Sequence, residues 1–488
     1  MAGSRVVTVR PRLDGPEPAI GVAADTLRAG IVAIQTELEA YPGFPPEVEE
    51  AAEAAAANPR LPELDRTDLP LITIDPVGSM DLDQALHLAR DGDGYVLSYA
   101  IADVGAFITP GDVVDLEANT RGQTLYGADS KVPLHPKVLS EDAASLLPDE
   151  IRPALLWTLK LDADGSRTDV DVVRARVRST RRMSYQEAQQ EIDDGTASEV
   201  LQLLKVVGEL RLAREAARGG INLPTLEQVV HVEDDRFSLE FREMLPVESW
   251  NAQMSLLTGF AAASLMVYAR VGLLRTLPEP DHRDVQRLHR TARALGIDWP
   301  AELLYAVLIR ELDPNQPDQA ALIVSCTRLL RGSGYVAFDG EVPAEPRHAG
   351  LAAEYAHVTA PLRRLADRYA SEVCLALCVG DDVPDWVHAA LPDLPATMQR
   401  TGQLANRYER MVLDLVEAGV LQAHVGESFD GVVVSVDEKE PTRGTVTVRE
   451  PAVEAPVVSV APLPLGTEAQ VRLTTADVAA RRVEFTLE

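Results

Sequence analysis

Three aspartates crowd the stretch Thr73-Ile74-Asp75-Pro76-Val77-Gly78-Ser79-Met80-Asp81-Leu82-Asp83-Gln84, at positions i, i+6 and i+8. LITID reads as a strand ending on Asp75, the Pro/Gly/Ser loop turns the chain back, and Asp81 and Asp83 flank Leu82 with period-two spacing. Such a loop brings three carboxylates into one small volume. Crowded carboxylates repel each other unless they are protonated or bridged by a cation, and oxygen ligands of this kind suit magnesium, with manganese as the alternative ion. Aspartate is also common in turns because its side chain caps them, and for the motif taken alone that reading stays open. A helix-loop-helix calcium site is disfavoured, because its glycine and terminal glutamate are not in place.

Residues of this kind need a scaffold that holds strand ends together. Residues 1–65 open on the alternating segment RVVTVRP, which reads as a strand, followed by two helical stretches, GVAADTLRAGIVAIQTEL and the alanine-rich, acidic PPEVEEAAEAAAA. The second suits a solvated helix, and no chemistry is visible in this region. From PLITIDP the pattern turns to short β-branched runs, including YVLSYAIADV and LLWTLKL, separated by the turns RDGDG and LDADG. Helical periodicity takes over from Met183 to about Leu295, broken by the glycine pair of AARGGINLP, and continues with loops at GSG and DGEVPAEPRH to about Leu421. After Val425, five short alternating strands predict a small closed barrel of the OB type. The expected fold is α+β: a mixed-sheet catalytic body with surrounding helices at 66–424, an all-β OB-fold barrel at 425–488, and an N-terminal region of strand plus helices at 1–65.

With 488 residues and 46% hydrophobic content, the chain is too large for a lone binding module. No run approaches the ~18 consecutive apolar residues of a membrane span, and MAGSRVVTVR lacks the apolar core of a signal peptide, so a cytoplasmic protein without a membrane partner is expected. Cys326, Cys374 and Cys378 lack the number for a disulfide framework and the spacing of a zinc site, and read as core thiols. A formal charge of −30 argues against a nucleic-acid partner, since phosphate binding depends on Lys and Arg. Local clusters decide the matter, because fields are screened beyond ~8 Å at physiological salt. Arg174, Arg176 and Arg178 alternate in VVRARVRS and so project from one strand face, with Arg181 and Arg182 just beyond. They are either RNA contacts or charges defending an edge strand.

TIDPVGSMDLDQAL resembles the signature of the ribonuclease II and R catalytic domain, the RNB domain, in which a TID motif is followed by three further aspartates. The continuation from YAIADVGAF through TLYGADSKVPLHP to DEIRPAL is similar to the family throughout, and EYAHVTAPLRRLADRY resembles its Tyr-x-x-x-Thr-Ser-Pro-Ile-Arg-Arg-Tyr-x-Asp. The likeness spans about residues 66–420, with the OB barrel in the family's usual place. It implies a magnesium-dependent 3′-to-5′ exoribonuclease that hydrolyses single-stranded RNA to nucleoside 5′-monophosphates.

By matching position, the resemblance implies that Asp75, Asp81 and Asp83 hold the metal, with Asp83 and Arg363 catalytic, while the fourth aspartate is replaced by Gln84, a carbonyl ligand without charge. Arg363 and the adjacent Arg364 offer planar donor forks suited to phosphate oxygens. Tyr126 falls at a tyrosine that stacks on the terminal base, a contact worth ~1–3 kcal/mol, and Glu409 at a glutamate that backs the last nucleotides. Ser371 and Glu372 replace a His-Arg pair, and Gln253 and Thr258 replace an aromatic and an asparagine, which predicts a base clamp missing one wall. The N-terminal 65 residues are too short for the two cold-shock barrels that usually precede the domain, which predicts a short bacterial member with a less restricted channel entrance. Two other functions stay open: an RNA-binding regulator on the same fold, and an acidic metalloenzyme acting on a small phosphoester, which gives the C-terminal barrel no purpose.

Overall fold

The computed structural model describes residues 8–9, 20–233, 236–300 and 302–488. Five strands, Leu71–Asp75, Gln84–Asp91, Gly94–Ala102, Ile151–Leu161 and Arg167–Ser184, close into a barrel in that order. Closure comes from one parallel pair, in which Leu71–Asp75 runs beside the end of Arg167–Ser184 with Asp75 opposite Ser184. The mixed sheet expected from the β-branched runs is thus a closed cylinder without an unpaired edge. Leu97, Tyr99, Ile101, Trp157 and Leu159 fill one face and are fully buried. Ala100 and Ala102 point the other way into a second apolar cluster with Leu82, Val104 and Leu156. Burial on both faces explains why YVLSYAIA reads as a continuous apolar run rather than an alternation.

Helices Glu199–Ala217, Pro246–Ala269 and Leu365–Val379 pack around this barrel in its main core. Pro246–Ala269 is long and apolar enough, by length and composition, to cross a membrane. Its polar Glu248, Asn251 and Gln253 hid that property from a search for unbroken apolar runs, and in the fold Met254, Leu257, Ala261 and Met266 are core residues. The glycine pair of AARGGINLP leads, as a loop between helix and strand, into Glu227–Glu233, which pairs with Arg236–Arg242. One hairpin differs from the helical expectation: Val271–Thr276 pairs antiparallel with Gly334–Asp339. VGLLRT and GYVAFD are apolar runs too short for periodicity to tell strand from helix.

In the N-terminal region, Thr8–Val9 pairs parallel with Val229–Val230, and the rest of RVVTVRP lies outside the described residues. The helix Ala24–Glu37 buries Ala24, Leu27, Ile31 and Ile34 against the long helix Leu394–Leu421 and the C-terminal barrel. The two helices approach through reciprocal glycines: a Cβ on Gly30 would lie 2.7 Å from Leu415, and one on Gly419 would lie 2.5 Å from Leu27. Pro46–Ala57 is the solvent-facing helix its composition suggests, with Val48 and Ala52 as a narrow buried stripe packed towards helix Val113–Arg121 and the helical turn Leu139–Ala143.

The last five strands, Ser428–Val436, Arg443–Val448, Val453–Val458, Arg482–Leu487 and Glu468–Asp477, form a second closed barrel in that order, as the alternation predicts. Val433, Val446, Val471, Leu473 and Phe485 are its buried face. Cys326 and Cys374 are buried free thiols, and Cys378 is partly exposed.

Candidate active site

The aspartate loop sits at the mouth of the first barrel. Asp75 ends its strand, and a turn follows in which the Ser79 amide donates to the Pro76 carbonyl at 3.1 Å. Gly78 takes φ +83° at the third position of this turn, a conformation that glycine adopts without strain. The Ser145 hydroxyl then pins the returning chain, donating to the Met80 carbonyl at 2.6 Å and accepting from the Leu82 amide at 2.9 Å. Asp83 is thereby turned inward and is 5% exposed.

A second segment, 279 and 280 residues beyond Asp83 at Leu362 and Arg363, completes the site. Backbone pairing joins it to the stretch just before Tyr126: Thr124 donates to the Arg363 carbonyl at 3.0 Å, and Leu365 donates to the Gly122 carbonyl at 3.0 Å. The Leu362 amide donates to one oxygen of Asp83 at 2.8 Å, and Arg363 Nε reaches the other at 3.3 Å. Arg364 forks onto the fully buried Asp367 at 2.9 and 3.0 Å, and Asp367 also accepts from the Ala360 amide at 2.7 Å. Asp367 thus fixes the loop that aims both guanidiniums. The Arg363 side chain remains 42% exposed, available to an incoming group. Tyr126, half-buried in the hairpin Leu125–Tyr126 with Lys131–Val132, lies within the electrostatic reach of Arg363, Asp81, Asp83 and Arg364.

The charges of this centre are unevenly balanced. Burial pushes the carboxyls of Asp75 and Asp83 up to about 7 each; Arg363 opposes both shifts, and Asp81 adds to them. Asp75 Oδ2 is buried and has no hydrogen-bond partner. Asp81 instead meets the Lys131 ammonium at 2.9 Å, and that ammonium also reaches Glu141 at 3.1 Å. Burial alone would lower the Lys131 pKa, and the two carboxylates more than offset it, leaving it raised. Among the described residues, no three His, Cys, Asp or Glu side chains converge as a ready ion site. By donor chemistry, Asp75 and Asp83 fit a hard divalent cation, since both are desolvated carboxylates and Asp75 Oδ2 is buried without a partner, while Asp83 shares its charge with Arg363. Gln84, expected to offer its carbonyl oxygen to a metal, gives it to the hydroxyl of the fully buried Tyr99.

Other residues singled out by the sequence lie elsewhere. Arg174 donates to Asp103 at 2.8 Å and pairs with Glu372, Arg176 pairs with Asp65 at 3.2 Å, and Arg178 lies within the electrostatic reach of Asp65. The alternation is real, but this arginine face meets the protein's own carboxylates. Glu372, standing where a His-Arg pair was expected, is one of those partners. Glu409 lines a cavity of about 500 Å³ between the long helix, helix Pro317–Cys326 and the C-terminal barrel, with burial pushing its carboxyl up to about 7. Gln253 is 3% exposed and donates to Glu215 at 2.8 Å across a helix pair, while Thr258 bonds back to the Met254 carbonyl at 3.0 Å. Wedged between two helices, Gln253 offers no wall to a base.

The structure adds residues that the sequence reading passed over. Lys131 lies five residues beyond Tyr126 in a segment already noted, with nothing local to show that it reaches Asp81. Beside Arg364, the Tyr335 hydroxyl and His357 Nδ1 lie 2.6 Å apart, Arg275 stacks over the Tyr335 ring at 4.8 Å, and Tyr355 meets His357 edge-on at 5.4 Å. Burial, then Arg364 and Arg275, hold His357 well below its ordinary pKa, so it is neutral near pH 7. Tyr355 and His357 belong to the EYAHVT motif and were findable there, whereas Arg275 and Tyr335 sit on strands misread as helix and loop.

A carboxylate and arginine centre at the mouth of one five-stranded barrel, with a second small barrel behind it, defines the class of this protein. Residues 64–377 match the RNB domain family, and residues 427–488 match the RNase II-type exonuclease C-terminal S1 domain. The chain belongs to the RNB family. It is similar to ribonuclease R 1 of Lactococcus lactis, 26% identical over 441 residues that cover 85% of this chain and 53% of the relative. It spans between about a third and about a half of the length of the curated relatives it matches. Among solved structures, it resembles Mycoplasma genitalium RNase R in complex with ribose-methylated single-stranded RNA, with TM-score 0.84, 20% identity, and coverage of 95% of this chain and 78% of that one. It also resembles yeast Ssd1, a pseudonuclease, with TM-score 0.67, 15% identity, and coverage of 85% and 53%. These structural likenesses establish the shared fold.

Proposed function

We propose that this protein is a 3′-to-5′ exoribonuclease that hydrolyses single-stranded RNA to nucleoside 5′-monophosphates. The observation that carries the reading is the junction of Asp83 with Leu362 and Arg363, which sets a buried carboxylate beside a half-exposed guanidinium and the desolvated Asp75. Asp75 and Asp83 would hold a divalent cation, magnesium by preference, and when bound it supplies Lewis acidity to the phosphodiester. Arg363 binds a phosphate oxygen and takes up charge as the bond to the leaving group lengthens. Asp83, fixed by the Leu362 amide, orients the attacking water. Tyr126 supplies a ring for the terminal base, and Arg364, held by Asp367, flanks the path of the backbone. The associated domain division places the catalytic body at 66–424 and an RNA-binding barrel at 425–488. This activity belongs in the cytoplasm, where RNA is turned over.

A second reading, an RNA-binding regulator with weak or no nuclease activity, draws on Gln84 being engaged by Tyr99 and on Asp81 being engaged by Lys131. Labelled poly(A) separates the two. Mononucleotide release with magnesium, absent with EDTA and in Asp83→Asn, supports the nuclease. Binding without product in all three conditions supports the regulator and overturns the nuclease reading.

A further inference from the structure

We propose that the Lys131 ammonium is the built-in counter-charge of Asp81, so that this centre takes one divalent cation, at Asp75 and Asp83, rather than two. The inference rests on the reading that Asp75 and Asp83 bind a cation at all. Three observations carry it. First, Lys131 Nζ lies 2.9 Å from Asp81 and 3.1 Å from Glu141, and the three side chains are only 21%, 16% and 21% exposed, so the cluster is shielded from the competition with water and salt that weakens surface pairs. Second, position 84 adds no charge, and its carbonyl oxygen is held by Tyr99 inside the barrel. Third, the one carboxylate oxygen of this loop that is buried without a partner belongs to Asp75, not to Asp81.

The Lys131 backbone is fixed, because the hairpin pairs Tyr126 with Lys131 and Leu125 with Val132. A divalent ion arriving at Asp81 would therefore have to displace an ammonium that keeps its attachment point a few ångströms away, and would then repel it. Glu141 gives that ammonium a second anchor, so the Asp81 position is already filled by a cation of the chain itself. Lys131 acts here as a positioning residue: it holds Asp81 and sets the number of metal ions, without touching the substrate.

The test is a manganese titration of the full chain by electron paramagnetic resonance at fixed ionic strength, with mononucleotide release from labelled poly(A) measured on the same samples. One equivalent of manganese is expected for the wild type and for Lys131→Arg. Two are expected for the double variant Lys131→Met with Gln84→Asp, in which the built-in cation is gone and the carboxylate restored. Two equivalents in the wild type overturn the proposal, as does none. A double variant that folds by circular dichroism and still binds one also overturns it. Should the double variant fail to fold, the wild-type count decides alone. One bound equivalent without RNA cleavage leaves this proposal standing and sinks the nuclease reading, whereas cleavage with two equivalents does the reverse.

Discussion

At pH 8, the charge on Asp83 works against the fold unless a cation is bound, and Asp83→Asn measures by how much. Burial raises the carboxyl from 3.8 to about 7, a shift of about three units. At ~1.36 kcal/mol per unit, this corresponds to roughly 4 kcal/mol. The folded pKa lies above the unfolded one, so the contribution of the protonated group to stability is fully present below about pH 4. It is lost as pH rises through about 7. Asparagine does not titrate, and Asp75, which shifts in the same direction, is present in both proteins. The stability of the wild type relative to Asp83→Asn should therefore fall by up to roughly 4 kcal/mol between about pH 4 and pH 8 when divalent ions are chelated. Urea titrations of both proteins at half-unit pH steps in EDTA read this difference directly. Saturating magnesium at pH 8 should close the gap, because a ligand that binds only the folded state stabilises it by mass action. Parallel pH curves for the two proteins would refute the reasoning, since they would mean that Asp83 is hydrated or already fully compensated by Arg363.

Three further outcomes follow from the same geometry. Asp83→Asn should abolish mononucleotide release while leaving RNA affinity equal or higher, because it removes negative charge near the phosphates; an equal loss of affinity in a filter-binding assay would make Asp83 a structural residue. Arg363→Lys keeps the charge and loses the fork, so turnover should drop by about tenfold or more with little change in RNA affinity. Steady-state kinetics alongside binding would decide this, and unchanged turnover contradicts the role. Gln84→Asp should lower the magnesium concentration needed for half-maximal release at fixed ionic strength, and an unchanged midpoint would show that the Tyr99 hydroxyl keeps position 84 out of the metal shell.

The aspartate loop was legible because its signals are local: a β-branched strand, a Pro-Val-Gly-Ser turn and period-two spacing lie within a dozen residues. The same locality gave the C-terminal barrel. Arg363 and Tyr126 were named only through family resemblance, since what joins them is backbone pairing between 122–124 and 363–365, a contact that no window of sequence contains. Lys131 was missed for a related reason. A lysine in a polar turn looks like a solvated charge, and only tertiary structure shows that it faces two carboxylates. For the arginines at 174 and 176 the spacing shows the shared strand face, while their partners there, Asp103, Glu372 and Asp65, come from distant parts of the chain. Val271–Thr276 and Gly334–Asp339 were lost to helix and loop because six-residue apolar runs carry no decisive period.

The helix Ala24–Glu37 also imposes an order on assembly. It braces the hairpin that carries Tyr126 and Lys131: Arg28 bonds to Asp129 at 2.9 Å, and Gln35 donates at 3.2 Å to the hydroxyl of Tyr408, which lies over Gly127. Its Glu37 meanwhile pairs with Arg407 at 3.3 Å and with Arg481 at 2.9 Å, at the far end of the sequence. This helix and its partners lie far apart along the chain, with sequence separations of 373 residues to Tyr408 and 444 to Arg481. Contacts so distant in sequence form late in folding, because the intervening loop must be closed before they contribute. The hairpin that carries Tyr126 and Lys131 is therefore braced by contacts that close late, through a helix that is itself held by the long helix and the C-terminal barrel.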